Sequence, residues 1–510
     1  MKNVFRVCLC CCLSMNTWAN GPDIPYKNPK IAIEQRVEDL LGRMTLEEKV
    51  EQLNMKSLES LEFDEKGKVT EASLEKLFGG RGIGCLESPF IEHEKIATYS
   101  EAADRYLREH TRLGIPAIQI AECLHGHMAL GATIFPQSIG LGSTWNPGLI
   151  KEMAGVIAQE ALLAGVDQAL SPLFDIARDP RYGRVEECYG EDPFLVKEMG
   201  VAFVKGLQGE PEQSAEGIAP GKLAAMGKHF VAYSKPESGI NIAPALVGER
   251  ELREDHLYPF EAAVKEANIY SIMPGYHEID GVPIHANKWL LKDILRDEWG
   301  FNGYIFSDYE AIGMMDYLHH TADGPKETGY QAITAGVDVE APGAYGYKHL
   351  IELVQEGRLS ESVIDESVRR VLTVKFKMGL FDRPFKVKKG DRQRIHTPES
   401  VDLARRVAEE SIVLLQNNNH VLPLDKSKLK SVAVIGPNAD KIQFGDYSPT
   451  KNNDYGVTVL QGLKDYLKEE VEVNYALGCG ITSLFTDSIA AAVDVAKNSD
   501  AVILVLGGTS

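Results

Sequence analysis

The chain has 510 residues, 44% of them hydrophobic and 25% charged, so it has the composition of a globular protein and the length for two to four domains. With 74 acidic against 54 basic residues its formal net charge is −20. That balance argues against nucleic acid and anionic membrane surfaces as partners and suits neutral ligands. Residues 1–19 read as an export signal. Lys2 and Arg6 supply the positive start, Val7 to Met15 a short apolar, Cys-rich core, and Thr17, Trp18 and Ala19 precede a cut before Asn20. The apolar run is too short to span a bilayer, so the reading is an exported, periplasmic or extracellular protein. Cys85, Cys123, Cys188 and Cys479 would remain, at spacings that fit neither a zinc site nor a dense disulfide framework.

From residue 20 to 381 the chain alternates short apolar runs with helical stretches. Ile33 to Leu53 has helical spacing, and Thr45 followed by Glu48 makes a capping box. Strands are expected at Ile83 to Leu86, Ala117 to Ala121, Gln168 to Leu170, Leu223 to Gly227, Ile269 to Met273, Gly303 to Ser307 and Gly336 to Val339. Helices between them include Pro147 to Leu163, Phe194 to Leu207, Tyr258 to Glu266 and Lys288 to Glu298. Such alternation favours a β/α barrel or a large doubly wound sheet. Residues 382–397 are polar, basic and rich in turn formers, and read as an interdomain linker. Residues 398–510 then read as a smaller α/β unit: helix Pro398 to Gln416, strand Val432 to Ile435, helix Thr458 to Glu469, strand Val471 to Tyr475, helix Phe485 to Lys497 and strand Ala501 to Leu506. The chain stops at Ser510 directly after a strand, which gives the expectation of an incomplete second domain with an exposed, aggregation-prone sheet.

The chemistry gathers at predicted strand ends. The run Gly303 to Ser307 is small, aromatic or apolar, and a carboxylate, Asp308, follows abruptly. Burying an acid there is costly without a task, and β/α barrels do their chemistry at that end. Asp308 is therefore the leading candidate for a reacting group, ahead of a plain helix N-cap. Other strands end at Glu122 (with His125 beyond), at Lys228 and His229, and at Glu340. The loop from Ser171 to Pro193 is dense in Arg, Asp and Glu, and Arg184 after Gly183 is the one directed to the pocket. Two acids, a Lys, a His and an Arg together would hold a neutral, hydroxyl-rich ligand. The spacing of His125 and His127 lacks the helical i, i+4 metal pattern, the glycines at 79, 80, 82 and 84 lack a nucleotide-binding fingerprint, and no GxSxG elbow occurs. No metal or cofactor is expected.

Six stretches in order resemble family 3 glycoside hydrolases, the bacterial β-glucosidase and β-xylosidase group. They are RVEDLLGRMTLEEKVEQL (Arg36 to Leu53), AECLHG (Ala121 to Gly126), ARDPRYGRVEECYGEDP (Ala177 to Pro193), KHF (Lys228 to Phe230), MPGYHEIDGVP (Met273 to Pro283) and ILRDEWGFNGYIFSDY (Ile294 to Tyr309). The resemblance implies a (β/α)8-like barrel followed by an α/β sandwich, and a retaining mechanism in which one carboxylate attacks the anomeric carbon and a second protonates the leaving oxygen. It places Asp308 as the nucleophile. It places Glu122, Arg184, Lys228, His229 and Tyr276 on the hydroxyls of the non-reducing-end sugar, with Met273 lining the same subsite. Lys228 and Arg184 would favour the ionised form of Asp308.

Two departures matter. The family's usual acid/base glutamate lies in the sandwich beyond a strand like Ala501 to Leu506, so it is expected outside these residues. The sequence VAYSKPESG after KHF does not support the N-acetylglucosaminidase branch. The resemblance thus implies an exported exo-β-glycosidase, with β-glucosidase first. A β-xylosidase is the alternative, because Glu122 replaces the shorter aspartate of many glucosidases. A sugar-binding remnant without its acid/base is the alternative from another class.

Overall fold

The computed structural model describes residues 24–508 apart from 215–216, 384–390, 483 and 485. The expected export signal lies outside the described residues.

Eight short parallel segments close into a barrel. β1 (Met55–Ser57), β2 (Cys85–Glu87), β3 (Ile118–Ala121) and β4 (Gln168–Ala169) pair side by side, and β5 (Met226–Phe230) and β6 (Ser271–Pro274) continue the ring. A small antiparallel hairpin, β7 (Glu278–Ile279) and β8 (Val282–Pro283), precedes β9 (Tyr304–Ile305), which pairs with β6. Bridges Gln168–Ala224, Phe306–Val339 and Asn54–Glu340 join the two sheets, the last two through an eighth segment around residue 339. The runs IQIA (118–121) and MGKHF (226–230) are buried throughout, as strands covered on both faces must be.

Of the barrel strands, β1 is the one that the sequence reading missed. Its residues, MKS, carry no apolar run. The barrel's need for a neighbour to β2 fixes it rather than local propensity.

The helices follow their own signals. Thr45 and Glu48 form the expected capping box. Asn146 caps Pro147–Leu163 through the Leu149 amide, and Asp192 caps Pro193–Gln208 through the Leu195 amide, each with Pro in the first turn.

On the closing segment, two residues before Glu340, Asp338 is fully buried. It accepts from Arg296 Nη2 at 2.8 Å, Arg370 Nε at 2.9 Å and the Ile305 amide at 2.8 Å, tying β9 to the closing segment. Asp338→Asn keeps the shape but gives up an anion between two guanidinium groups. We expect a loss of about 2 kcal/mol in urea unfolding.

The segment read as a linker is anchored where it is described. Asp382 takes a two-pronged contact from Arg36 at 2.8 and 2.7 Å, Arg383 Nη2 meets Asp167 at 3.1 Å, and the His396 amide donates to Glu160 at 2.8 Å. Paired charges account for the polarity of Asp382 and Arg383. The following helix is Pro398–Ser411, shorter than expected, and the β-branched and apolar residues Ile412 to Leu415 leave it exposed.

The second unit has parallel strands β10 (Ser431–Ile435), β11 (Glu472–Ala476) and β12 (Ala501–Leu504) in the order β11-β10-β12. Helices Val459–Leu467 and Ile489–Lys497 pack beside them. Val502 and Leu504 on β12 stand exposed.

Candidate active site

The seven residues singled out from sequence, Asp308, Glu122, Arg184, Lys228, His229, Met273 and Tyr276, line one cavity of about 230 Å³. Glu87, Phe90, Tyr309 and Tyr447 complete its wall. Most arise at the C-terminal ends of barrel strands or in the loops beyond, because parallel strands deliver their ends to one face. Lys228 and His229 are adjacent in β5 yet both line the cavity, and the pairing of β5 with β6 shifts register between Gly227 and Phe230.

Asp308 follows β9 and is 5% exposed. Its Oδ1 accepts from the Tyr309 amide at 2.8 Å, and its own amide donates to His285 Nε2 at 3.1 Å. Oδ2 is buried without a hydrogen bond of good geometry, 3.7 Å from His229 Nε2. Burial pushes this carboxyl above the ordinary aspartate range, while Arg184, Tyr276, Lys228 and the Tyr309 amide pull it down. The expectation that Arg184 and Lys228 favour the ionised form has the right sign for each, but desolvation outweighs them.

Lys228 is buried, and its Nζ donates to both oxygens of Glu122 at 3.1 and 3.0 Å. Burial pushes Glu122 up to about 7 against the attraction of Lys228. His229 Nδ1 lies 2.8 Å from Asp175 Oδ2, which also accepts the His229 amide at 3.2 Å. Burial, then Arg184, Lys228 and His277, hold the imidazole far below its usual range. It is therefore neutral, with the proton on Nδ1 toward Asp175, so Nε2 accepts from Arg184 Nη2 at 3.2 Å. Arg184 is fixed from its other side by Glu187, at 2.6 Å through Nε and 2.8 Å through Nη2. Met273 at the end of β6 is buried, and Tyr276 stands in the loop after it. The arrangement is a set of donors and acceptors with fixed orientations around one reactive carboxyl oxygen.

Two strand-end groups serve elsewhere. Glu340 accepts the amides of Gly346 at 2.9 Å and Tyr347 at 2.7 Å, closing its own loop. The ring nitrogens of His125 lie against the backbone oxygens of Phe135 and Asp446, both at 2.9 Å. Among the described residues no group of three His, Cys, Asp or Glu is arranged to hold a metal ion.

Sequence reasoning missed Asp175, Glu87, Phe90, Tyr309 and Tyr447. Asp175 carried the same signal as Asp308, an acid inside the apolar run SPLFDI. Tyr447 carried none, since its place depends on a loop of the second unit docking over the barrel. Its hydroxyl accepts from Arg184 Nη2 at 3.2 Å, and Lys228 Nζ lies 4.9 Å from its ring centroid.

Fold and cavity together define a β/α barrel with a buried carboxylate at its working end and a second α/β unit supplying part of the roof. Residues 45–374 match the glycosyl hydrolase family 3 N terminal domain and residues 412–510 the family's C-terminal domain. The chain belongs to glycosyl hydrolase family 3. It is 42% identical over 450 residues to a β-xylosidase of Formosa agariphila, covering 84% of this chain and 61% of that protein. It is 31% identical over 526 residues to a periplasmic β-glucosidase of Salmonella typhimurium, covering 97% and 63%. Among solved structures, the β-glucosidase EmGH1 of Erythrobacter marinus superposes with a TM-score of 0.88 at 36% identity, over 96% of this chain and 67% of that one. A β-glucosidase of Listeria innocua in complex with glucose gives 0.81 at 34% identity, over 93% and 64%. The chain spans about three fifths of the length of these curated relatives.

Proposed function

We propose that this protein is a retaining exo-β-glycosidase that removes one sugar from the non-reducing end of β-linked oligosaccharides. The observation that carries the reading is Asp308, which lines a cavity of hydrogen-bonding groups and whose Oδ2 is buried without a hydrogen bond of good geometry, beside the Tyr276 hydroxyl. In this reading Oδ2 attacks the anomeric carbon as the bond to the leaving oxygen breaks, an activated aryl group departing as its phenolate, and water then hydrolyses the glycosyl ester to free the sugar and restore the carboxylate. Tyr309's amide holds Oδ1 and sets the attacking oxygen's direction. Lys228 and Glu122, His229, Arg184 and Tyr276 bind the ring hydroxyls, with Met273 lining the same subsite. Of the cavity's other carboxylates, Glu122 is held by Lys228 and Glu87 accepts from the Tyr309 hydroxyl at 2.7 Å, so neither is assigned as the proton donor.

A glucoside is the first reading, supported by the glucose complex of the Listeria innocua relative. A xyloside is the second, favoured by the longer acid at Glu122, clamped on Lys228, and by the Formosa agariphila β-xylosidase. Export is proposed from residues 1–19 and supported by the Salmonella typhimurium relative's periplasmic name. Residues 20–381 are proposed as the catalytic barrel and 398–510 as the sandwich domain.

A panel of aryl β-glucosides, β-xylosides and α-arabinosides with good leaving groups tests the reading, since their departure needs little protonation. Release from β-glucosides or β-xylosides supports it. Release from neither, with no binding of either free sugar, sinks it.

A further inference from the structure

We propose that His125, Gln137 and Gly445 form a clasp that positions Tyr447 in the cavity wall and so sets sugar affinity without any of the three touching the sugar. The inference rests on the sugar-pocket reading above. Tyr447 lies between β10 and the helix Val459–Leu467, on the second unit, while the groups it meets in the cavity belong to the barrel. Its backbone sits at φ 51°, a conformation that a bulky side chain adopts only when its surroundings impose it.

The surroundings are all backbone-directed. Gln137 Nε2 donates to the carbonyl oxygens of Phe444 at 3.2 Å and Asp446 at 2.6 Å. His125 Nε2 lies 2.9 Å from the Asp446 oxygen and 3.1 Å from Gln137 Nε2, and its Nδ1 lies 2.9 Å from the Phe135 oxygen. Glu186 Oε1 accepts the Asp446 amide at 3.1 Å. Gly445 lies between these contacts at φ +83°, and a Cβ there would overlap the Gln137 side-chain amide. The loop backbone therefore lies directly on Gln137, and only glycine permits it.

The consequence falls one residue further on. With residues 444–446 pinned, the Tyr447 ring covers the Lys228 ammonium and its hydroxyl meets Arg184. These two cations are among the proposed sugar-binding groups. His125, Gln137 and Gly445 do not line the cavity themselves. They are positioning residues, acting through Tyr447.

The test is a set of substitutions in the full chain, with the affinity for D-glucose and D-xylose read by calorimetry. Tyr447→Ala, Gln137→Leu and Gly445→Ala are each expected to weaken the better-bound sugar about tenfold. Gln137→Leu added to Tyr447→Ala is expected to change affinity by less than about twofold, because the clasp then has nothing to position. A merely structural Gln137 would instead multiply its effect onto that of Tyr447→Ala. Multiplied effects, or parental affinity in both Gln137→Leu and Gly445→Ala, overturn the inference alone. A parent protein that binds neither sugar overturns the proposed function and the inference together.

Discussion

Asp308→Asn is expected to lower turnover of an activated aryl β-glycoside by on the order of 10⁴-fold or more, while leaving the folded state at least as stable. The amide keeps the shape of the carboxyl but cannot form the glycosyl ester, which removes the proposed reaction path rather than weakening it. Stability moves the other way because Asp308 bears a desolvation cost that already lifts its pKa. A neutral amide at the same 5% exposed site avoids that cost. Affinity for the free sugar should fall by no more than about tenfold, since the ring-binding groups stay in place. Steady-state kinetics, a thermal melt and a sugar titration on the same preparation separate these effects. Turnover within about tenfold of the parent would remove Asp308 from the chemistry.

Lys228→Met is expected to damage both stability and binding. Lys228 and Glu122 are a buried pair in contact through both carboxylate oxygens. Removing the ammonium leaves Glu122 buried without its counter-charge, at a cost of about 4 kcal/mol. The defect has a pH signature. Glu122 already sits near 7 with Lys228 beside it, and without Lys228 it rises further. The folded variant then holds a proton that the unfolded chain, with an ordinary glutamate, releases. Its stability therefore falls as pH rises from about 5. The parent, whose Glu122 holds its proton until about 7, shares this fall below that pH, so the shortfall of Lys228→Met from the parent widens as pH rises above about 7. Adding Glu122→Gln removes the stranded charge and should recover more than about half of the loss. Sugar affinity, expected to drop by about 10²-fold, should not recover in that double variant, because both binding groups are then gone. A pH-independent defect, or recovery of binding with stability, would show that the pair is scaffolding only.

How far the sequence alone reached follows from where each signal resides. Asp308, Glu122 and the pair Lys228–His229 were legible because each polar group interrupts an apolar strand at its end, and parallel strands gather those ends. The same rule overreached at Glu340 and His125. A strand-end position does not say whether a side chain turns inward or bonds its neighbouring loop, and these two found backbone partners outside the cavity. β1 was invisible because MKS is three residues long and is recruited by its neighbours. The helix after the anchored segment was read past Ser411, since the run IVLL fits a helix as well as an extended stretch. Tyr447 lies outside what local pattern can report, since the run FGDYSP reads only as a turn until the two units are docked.

The central claim is that Asp308 forms a covalent bond with a sugar. A 2-fluoro β-glucoside or β-xyloside with a good leaving group traps such an ester, and peptide mass spectrometry locates it. The account predicts one added fluorosugar per chain, on the peptide containing Ser307 to Glu310, absent from Asp308→Asn. A label on any other carboxylate, such as Glu87 or Glu122, would contradict it.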